Sequence, residues 1–239
     1  LPKWNEWMER WPTPKDLAKA TPAQVITAWG RLGYPRRALR LHAAAQIIAD
    51  DFNNEVPEDQ ETLQLLPGIG EYTAAAIAAF AFEQRSLVMD VNIRRLLVRA
   101  IDGEEHPKPA PSAREKARRL AILPEKNAHV WAAATMELGA LVCTSKNPSC
   151  ELCPIIGQCQ WRKNGYPKTD LVRKSQDWHG TDRKCRGTIV QALRDNESLT
   201  ESAIKKLWPD ESQVEKALKT LADDLLIQRL PRNRYRLPQ

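Results

Sequence analysis

The chain has 239 residues, 42% of them apolar and 28% charged, with a formal net charge of +6. That length allows one large domain or two modest ones around a buried core, and the composition is that of a globular protein. No run reaches the roughly 18–20 apolar residues of a membrane span and no signal-peptide pattern is present, so no membrane partner is expected and the interior of the cell is the expected location. Five cysteines in that compartment read as thiols or metal ligands rather than disulfides. The charge is uneven: residues 1–160 hold 19 basic and 19 acidic residues, whereas 161–239 hold 17 and 11. A basic end points to a polyanion.

In chain order, residues 1–160 read almost entirely as helices. The candidates are 2–11, 14–20, 22–30, 35–51, 58–65, 71–83, 91–101, 112–121 and 127–140, broken by Pro, Gly and Asn. Leu1 is not a methionine and Trp4, Trp7, Met8 and Trp11 already have helical spacing, so further structure is expected upstream. Thr21-Pro22 reads as a cap followed by a first-turn proline. Residues 141–165 are irregular and rich in cysteine, 166–180 read as a linker, and 181–239 as a small basic domain. In that last segment helices near 183–194, 200–207 and 211–224 precede strands near 226–229 and 234–237, the order of a winged helix.

Between two of the helices stands Leu66-Pro67-Gly68-Ile69-Gly70, ahead of an alanine-rich run. Gly68 and Gly70 permit a sharp turn and leave backbone N–H groups open at the start of the next helix. Such donors can grip a phosphate without reading sequence. An ordinary corner between two helices reads the same way, and the pattern alone leaves both open. Cys143, Cys150, Cys153 and Cys159 give C-x6-C-x2-C-x5-C, compact enough for one loop to wrap one group. Thiolates suit zinc and iron–sulfur clusters alike, and the single C-x2-C pair favours the cluster. Cys185 stands apart and reads as a buried small residue.

The Leu66–Gly70 turn, the Val88-Met89-Asp90-Val91-Asn92-Ile93-Arg94-Arg95 segment some twenty residues on, and the cysteine spacing together resemble the helix-hairpin-helix DNA glycosylase superfamily. The segment 28–45, AWGRLGYPRRALRLHAAA, is most similar to the MutY branch. The resemblance spans about residues 1–165. It implies a mainly helical glycosylase fold over 1–140, a [4Fe-4S] cluster on Cys143, Cys150, Cys153 and Cys159, and duplex DNA as partner of a monomeric protein. It places Asp90 as the carboxylate that stabilises the oxocarbenium-like sugar and Asn92 as the residue that orients it or the attacking water. Asp90 by itself reads as a helix N-cap. Tyr72 falls where the lyases of the superfamily carry an amine nucleophile; a phenol cannot form a Schiff base, which implies a monofunctional enzyme using water. Tyr34 aligns with the aromatic that wedges into the stack, and Arg36, Arg37, Gly68, Ile69, Gly70 and Lys146 are the expected DNA contacts.

The implied activity is hydrolysis of the N-glycosidic bond of adenine opposite 8-oxoguanine or guanine. An endonuclease III-like enzyme acting on damaged pyrimidines and a non-catalytic iron–sulfur DNA-binding protein are the alternatives. In three places the chain departs from the family. Valine replaces the usual glycine between Asp90 and Asn92. The glutamate that protonates the leaving adenine lies, in the family, in a helix ahead of position 1, and is expected upstream. The tail 181–239 is too short for a Nudix-like domain and resembles the winged-helix-like tail of actinobacterial-type relatives.

Overall fold

The computed structural model describes residues 2–169 and 180–239; most of the expected linker, and His179, lie outside the described residues. Helices follow one another through the first 141 residues: α1 (Pro2–Arg10), α2 (Pro14–Ala18), α3 (Pro22–Trp29), α4 (Arg36–Asp51), α5 (Gln60–Leu65), α6 (Glu71–Phe82), α7 (Val91–Leu97), α8 (Ala113–Ala121) and α9 (Ala128–Leu141). A wide π-type turn, Val98–Asp102, extends α7, where the sequence reads as one uninterrupted helix. Short 3-10 turns at Cys150–Leu152 and Ile156–Gln158 lead to α10 (Gln160–Lys163). The tail adds α11 (Asp182–Asp195), β1 (Leu199–Thr200), α12 (Glu201–Lys205), α13 (Glu211–Asp223), β2 (Gln228–Leu230) and β3 (Arg234–Arg236). The order β1-β3-β2 is antiparallel throughout, with Tyr235 opposite both Leu199 and Arg229.

Local chemistry explains most of the boundaries. Thr13 and Thr21 each cap a helix whose first residue is proline, and each closes a reciprocal capping box, with Asp16 and Gln24 respectively. Ser112, Thr181, Thr200 and Asp210 accept from the third backbone N–H of α8, α11, α12 and α13.

The described residues divide into two compact units. One takes 2–57, 66–68 and 180–239. Its N-terminal helices pack Leu17, Val25, Trp29, Ala38 and Ala45 beneath Trp7 and Trp11, whose rings meet edge-on at 5.0 Å. The tail builds its own core from Cys185, Ile189, Leu193, Ile204, Val214, Leu218, Leu221, Leu226 and Tyr235, and Ile26 of α3 is part of it, with Ala23 and Leu39 packed alongside. Asp224 pairs with Arg36 at 3.0 Å and also with Arg186, while Arg194 donates to the Ile26 carbonyl at 3.1 Å. The tail is thus bound to α3 and α4, where the sequence reads it as a domain by itself.

The other unit takes 58–65 and 69–169. In α6 the buried residues are Ala74, Ala75, Ala78 and Ala79, small enough to bring α5 and α9 close. Ala79, Val88, Ile93, Leu97 and Ala132 form a core shared by α6, α7 and α9.

Candidate functional site

The first constellation is at the start of α7. Asp90 has extended backbone (φ −68°, ψ 154°) and caps the helix, its Oδ1 accepting from the Asn92 N–H at 2.6 Å. The cap uses one carboxylate oxygen of the half-buried group. Tyr72, the second residue of α6, is 46% exposed. Its hydroxyl is held above the usual tyrosine range, first by partial burial and then by the negative charge of Asp90. The phenol stays protonated there. Among carboxylates near the hairpin, Glu71 is 64% exposed and bonded to Lys116 Nζ at 2.6 and 2.7 Å.

Asn92 is anchored from below. Arg95 Nη2 donates to Asn92 Oδ1 at 2.9 Å and to the Gly139 carbonyl, and Nε donates to the Cys143 carbonyl at 2.8 Å. One buried guanidinium therefore joins the Asp90–Asn92 turn, α9 and the start of the cysteine segment. Gly139 permits that approach: a Cβ there would lie 2.5 Å from the Asn92 carbonyl oxygen. Alanine at a helix position normally gains about 1 kcal/mol over glycine, while forcing backbone apart in a packed core costs about 1–3 kcal/mol. Gly139→Ala is therefore expected to lose net stability, by up to about 2 kcal/mol, and to shift Asn92. Thermal melting checks it; a higher melting temperature would show that α7 and α9 separate without strain.

The second constellation is the cysteine segment. All four of Cys143, Cys150, Cys153 and Cys159 line one small pocket with Leu96, Ile155, Ile156 and Trp161. No three His, Cys, Asp or Glu side chains among the described residues stand as a single-ion site. Arg99 is 1% exposed at the pocket wall: Nη1 donates to Cys143 Sγ at 3.4 Å and to the Thr144 carbonyl at 2.7 Å, Nη2 to the Ser145 carbonyl at 3.1 Å, and Nε to the Glu105 carbonyl at 2.9 Å. Its guanidinium also lies 4.5 Å from the Trp161 ring centroid. Burial raises the Cys153 thiol, and the other three sulfurs raise it further by mutual repulsion. A donor set of four adjoining thiols beside a buried cation fits an electron-poor metal group that holds them as thiolates. Lys146 is exposed on the same segment.

The remaining expected residues lie in and beside the turns. Gly68 has φ +83°, and a Cβ there would meet Arg40 Cβ at 2.8 Å, so both conformation and space require glycine. Gly70 is the N-cap of α6 and faces open space. Ile69, between them, is half-buried. Tyr34 is 61% exposed and has φ +48°, an uncommon left-handed conformation for a side chain of its size. Arg183 of α11 lies with its guanidinium 4.4 Å from the Tyr34 ring centroid. Arg36 is paired with Asp224, and Arg37 lies 5.8 Å from the Trp29 ring centroid. Sequence reasoning gave no role to Arg95, Arg99, Gly139 or Arg183. The signal for the first two was present as arginines four apart among Ile93, Leu96, Leu97 and Val98.

Residues 1–121 match the HhH-GPD superfamily of base excision DNA repair proteins. The chain is 45% identical to an adenine DNA glycosylase of Mycobacterium tuberculosis over 98% of its own length and 78% of the relative's, and 42% identical to that of Mycolicibacterium smegmatis over 99% and 80%. The human adenine DNA glycosylase is 39% identical over 66% of this chain and 29% of its own. The chain belongs to the HhH-GPD superfamily. Among solved structures, a thermostable thymine-DNA glycosylase superposes with a TM-score of 0.62 over 68% of this chain and 76% of its own, at 21% identity. An endonuclease III–DNA complex gives 0.59 over 70% and 77%, at 22% identity. The solved structures share the fold, and the mycobacterial relatives match 98–99% of the chain.

Proposed function

We propose that this HhH-GPD protein is a MutY-type adenine DNA glycosylase that removes adenine from duplex DNA opposite 8-oxoguanine or guanine. The observation that carries this reading is the 45% identity to an adenine DNA glycosylase over 98% of the chain, and Tyr72 at the start of α6, where the lyases need an amine, agrees with it. In the proposed reaction the bond between the sugar C1′ and the adenine nitrogen breaks and both electrons leave with the base. The sugar develops positive charge, which Asp90 stabilises; water then adds its oxygen to C1′ and releases a proton. Asn92, fixed by Arg95, orients the carboxylate or the water. Tyr72 supplies a neutral hydroxyl and no imine, so the abasic strand is left uncut. The leaving adenine requires a proton, and Glu71, exposed and bonded to Lys116, is poorly suited to deliver it.

In this reading the hairpin 66–70 holds a phosphate, Tyr34 wedges into the stack, and Arg37 and Lys146 add backbone contacts. A [4Fe-4S] cluster on Cys143, Cys150, Cys153 and Cys159 would order the segment; hydrolysis needs no electron transfer from it. The full-length protein, incubated in single turnover with duplexes bearing A:8-oxoguanine, A:G or thymine glycol, is expected to release adenine from the first two and leave the strand intact. Release from thymine glycol with strand cleavage would replace this reading by the endonuclease III one.

A further inference from the structure

The tail has the element order of a winged helix, in which the last helix, here α13, is the one that enters a DNA groove. The charges on α13 argue against that use. Its exposed residues include Glu211, Glu215 and Asp223, with Lys216 and Lys219 as the cations. Lys216 is paired with Asp182 at 2.6 Å, and Lys205 of α12 is held by Glu211 and Glu215 at 3.3 and 2.7 Å. A helix with more acids than bases is repelled by the phosphates that border a groove.

The hairpin β2–β3 has the opposite charge. Residues 228–239 hold four arginines, Arg229, Arg232, Arg234 and Arg236, and no lysine, aspartate or glutamate. Three of them bond to neutral acceptors. Arg229 Nη2 donates to Asn233 Oδ1 at 2.7 Å, Arg234 Nη2 to Ser198 Oγ at 2.7 Å, and Arg236 Nε to Gln228 Oε1 at 3.1 Å. Among the described residues none of the four is paired with a carboxylate. A neutral acceptor orients a guanidinium without cancelling its charge, and the fork has five donors to share.

The hairpin also aims these charges. Tyr235 is 6% exposed and packs in the core, so Arg234 and Arg236, on either side of it in β3, share the outer face of the sheet. Arg232 is exposed at the tip, where it and Asn233 both have left-handed backbone (φ 60° and 50°). Glycine or asparagine fills such a turn position with less strain than arginine, and the Arg229 bond to Asn233 holds the turn in place. Strain accepted at an exposed, charged tip marks a contact residue.

We propose that the β2–β3 hairpin grips the phosphodiester backbone of duplex DNA, with Arg232, Arg234 and Arg236 as its contacts and Arg229 as the residue that positions the tip. Binding through it is independent of sequence and of lesion, because bonds to phosphate read no base. The tail then adds affinity for any duplex and leaves base recognition to the rest of the chain. DNA is the polyanion chosen because the chain belongs to a superfamily of DNA repair proteins. The inference rests on the DNA partner of the proposed function and not on which base is released.

The test is equilibrium binding across a salt series, with an undamaged duplex and an A:8-oxoguanine duplex, by the full-length protein. The variants are Arg232→Gly, the triple Arg232→Gly/Arg234→Gln/Arg236→Gln, and Lys219→Ala on α13, each with its melting temperature measured. Glycine suits the backbone at 232, so Arg232→Gly keeps the fold and tests the proposal even where the triple variant is unstable. Arg232→Gly is expected to lower the slope of log affinity against log salt by about one, and the triple variant by about two to three. The triple variant should bind both duplexes about tenfold more weakly at low salt, and Lys219→Ala should match the parent. A parent-like slope in Arg232→Gly and in a folded triple variant, or a loss confined to Lys219→Ala, would overturn the proposal. Unchanged DNA binding with weakened binding of an RNA duplex would assign the hairpin to RNA and overturn it too. Hairpin-dependent binding in a protein that releases no adenine would support the hairpin proposal and overturn the adenine reading alone.

Discussion

Asp90→Asn is expected to abolish adenine release while leaving affinity for lesion DNA unchanged or slightly higher. Asparagine is as good an N-cap as aspartate, so the bond to the Asn92 N–H at 2.6 Å survives and α7 keeps its start. What disappears is the negative charge. Only the transition state develops a full positive charge on the sugar, so the loss falls on the chemical step rather than on binding. Removing one preorganised electrostatic partner of this kind costs about 10²–10³-fold in rate, and a carboxylate facing an oxocarbenium-like centre belongs at or beyond the upper end. Single-turnover release under saturating protein measures it directly, and gel-shift titration reads the affinity. A variant within about fivefold of the parent rate would remove Asp90 from the mechanism and leave it as a cap; fivefold is about 1 kcal/mol, below what any charge-stabilising role predicts.

Arg99→Met is expected to be the most damaging substitution for the fold of the second unit. The side chain is 1% exposed and ties Glu105, Thr144 and Ser145 by their carbonyls while sitting beside Cys143 Sγ. Methionine fills much of the space and stays against Trp161, but satisfies none of the acceptors. Each buried carbonyl left without a donor costs about 1–3 kcal/mol, so three of them outweigh any saving from no longer burying a cation. The expected loss is about 3–5 kcal/mol, a fall in melting temperature of roughly 6–20 °C in a protein of this size. Circular dichroism follows the melt, and under the proposed cluster on Cys143, Cys150, Cys153 and Cys159 the iron content of the purified variant should fall with it, because Thr144 and Ser145 adjoin Cys143. Arg99→Lys restores the charge with three donors on a point instead of a fork, and should recover only part of the loss. A melting temperature within 2 °C of the parent would mean that water replaces the guanidinium.

Much of the chain was legible before any coordinates. Helix starts at Thr13, Thr21, Ser112 and Thr181 follow from a hydroxyl meeting a backbone N–H three residues away, and such contacts are written in neighbouring letters. The glycine turn 66–70, the segment 88–95, the four-cysteine spacing and the run 28–45 are equally local, and they carried the family resemblance; the absence of lysine at Tyr72 is read in its light. β1 escaped notice because two residues hold no alternation to detect, and the π-type turn at 98–102 because an apolar stripe continues unbroken through it.

Tertiary structure decided the rest, for one physical reason: the partners are far apart in sequence. Arg95 and Arg99 look like surface arginines until carbonyls more than forty residues away are brought to them. Gly139 looks like a flaw in a helix until the Asn92 carbonyl fills the space where its side chain would be. The tail reads as a separate basic domain, but the side chain that completes its core is Ile26 and the acid that binds Arg36 is Asp224. Composition and spacing record which groups a chain owns and how often an apolar one recurs. Whether a charge is solvated, buried against carbonyls or stacked on an aromatic ring depends on what folding sets beside it, and no local pattern encodes that.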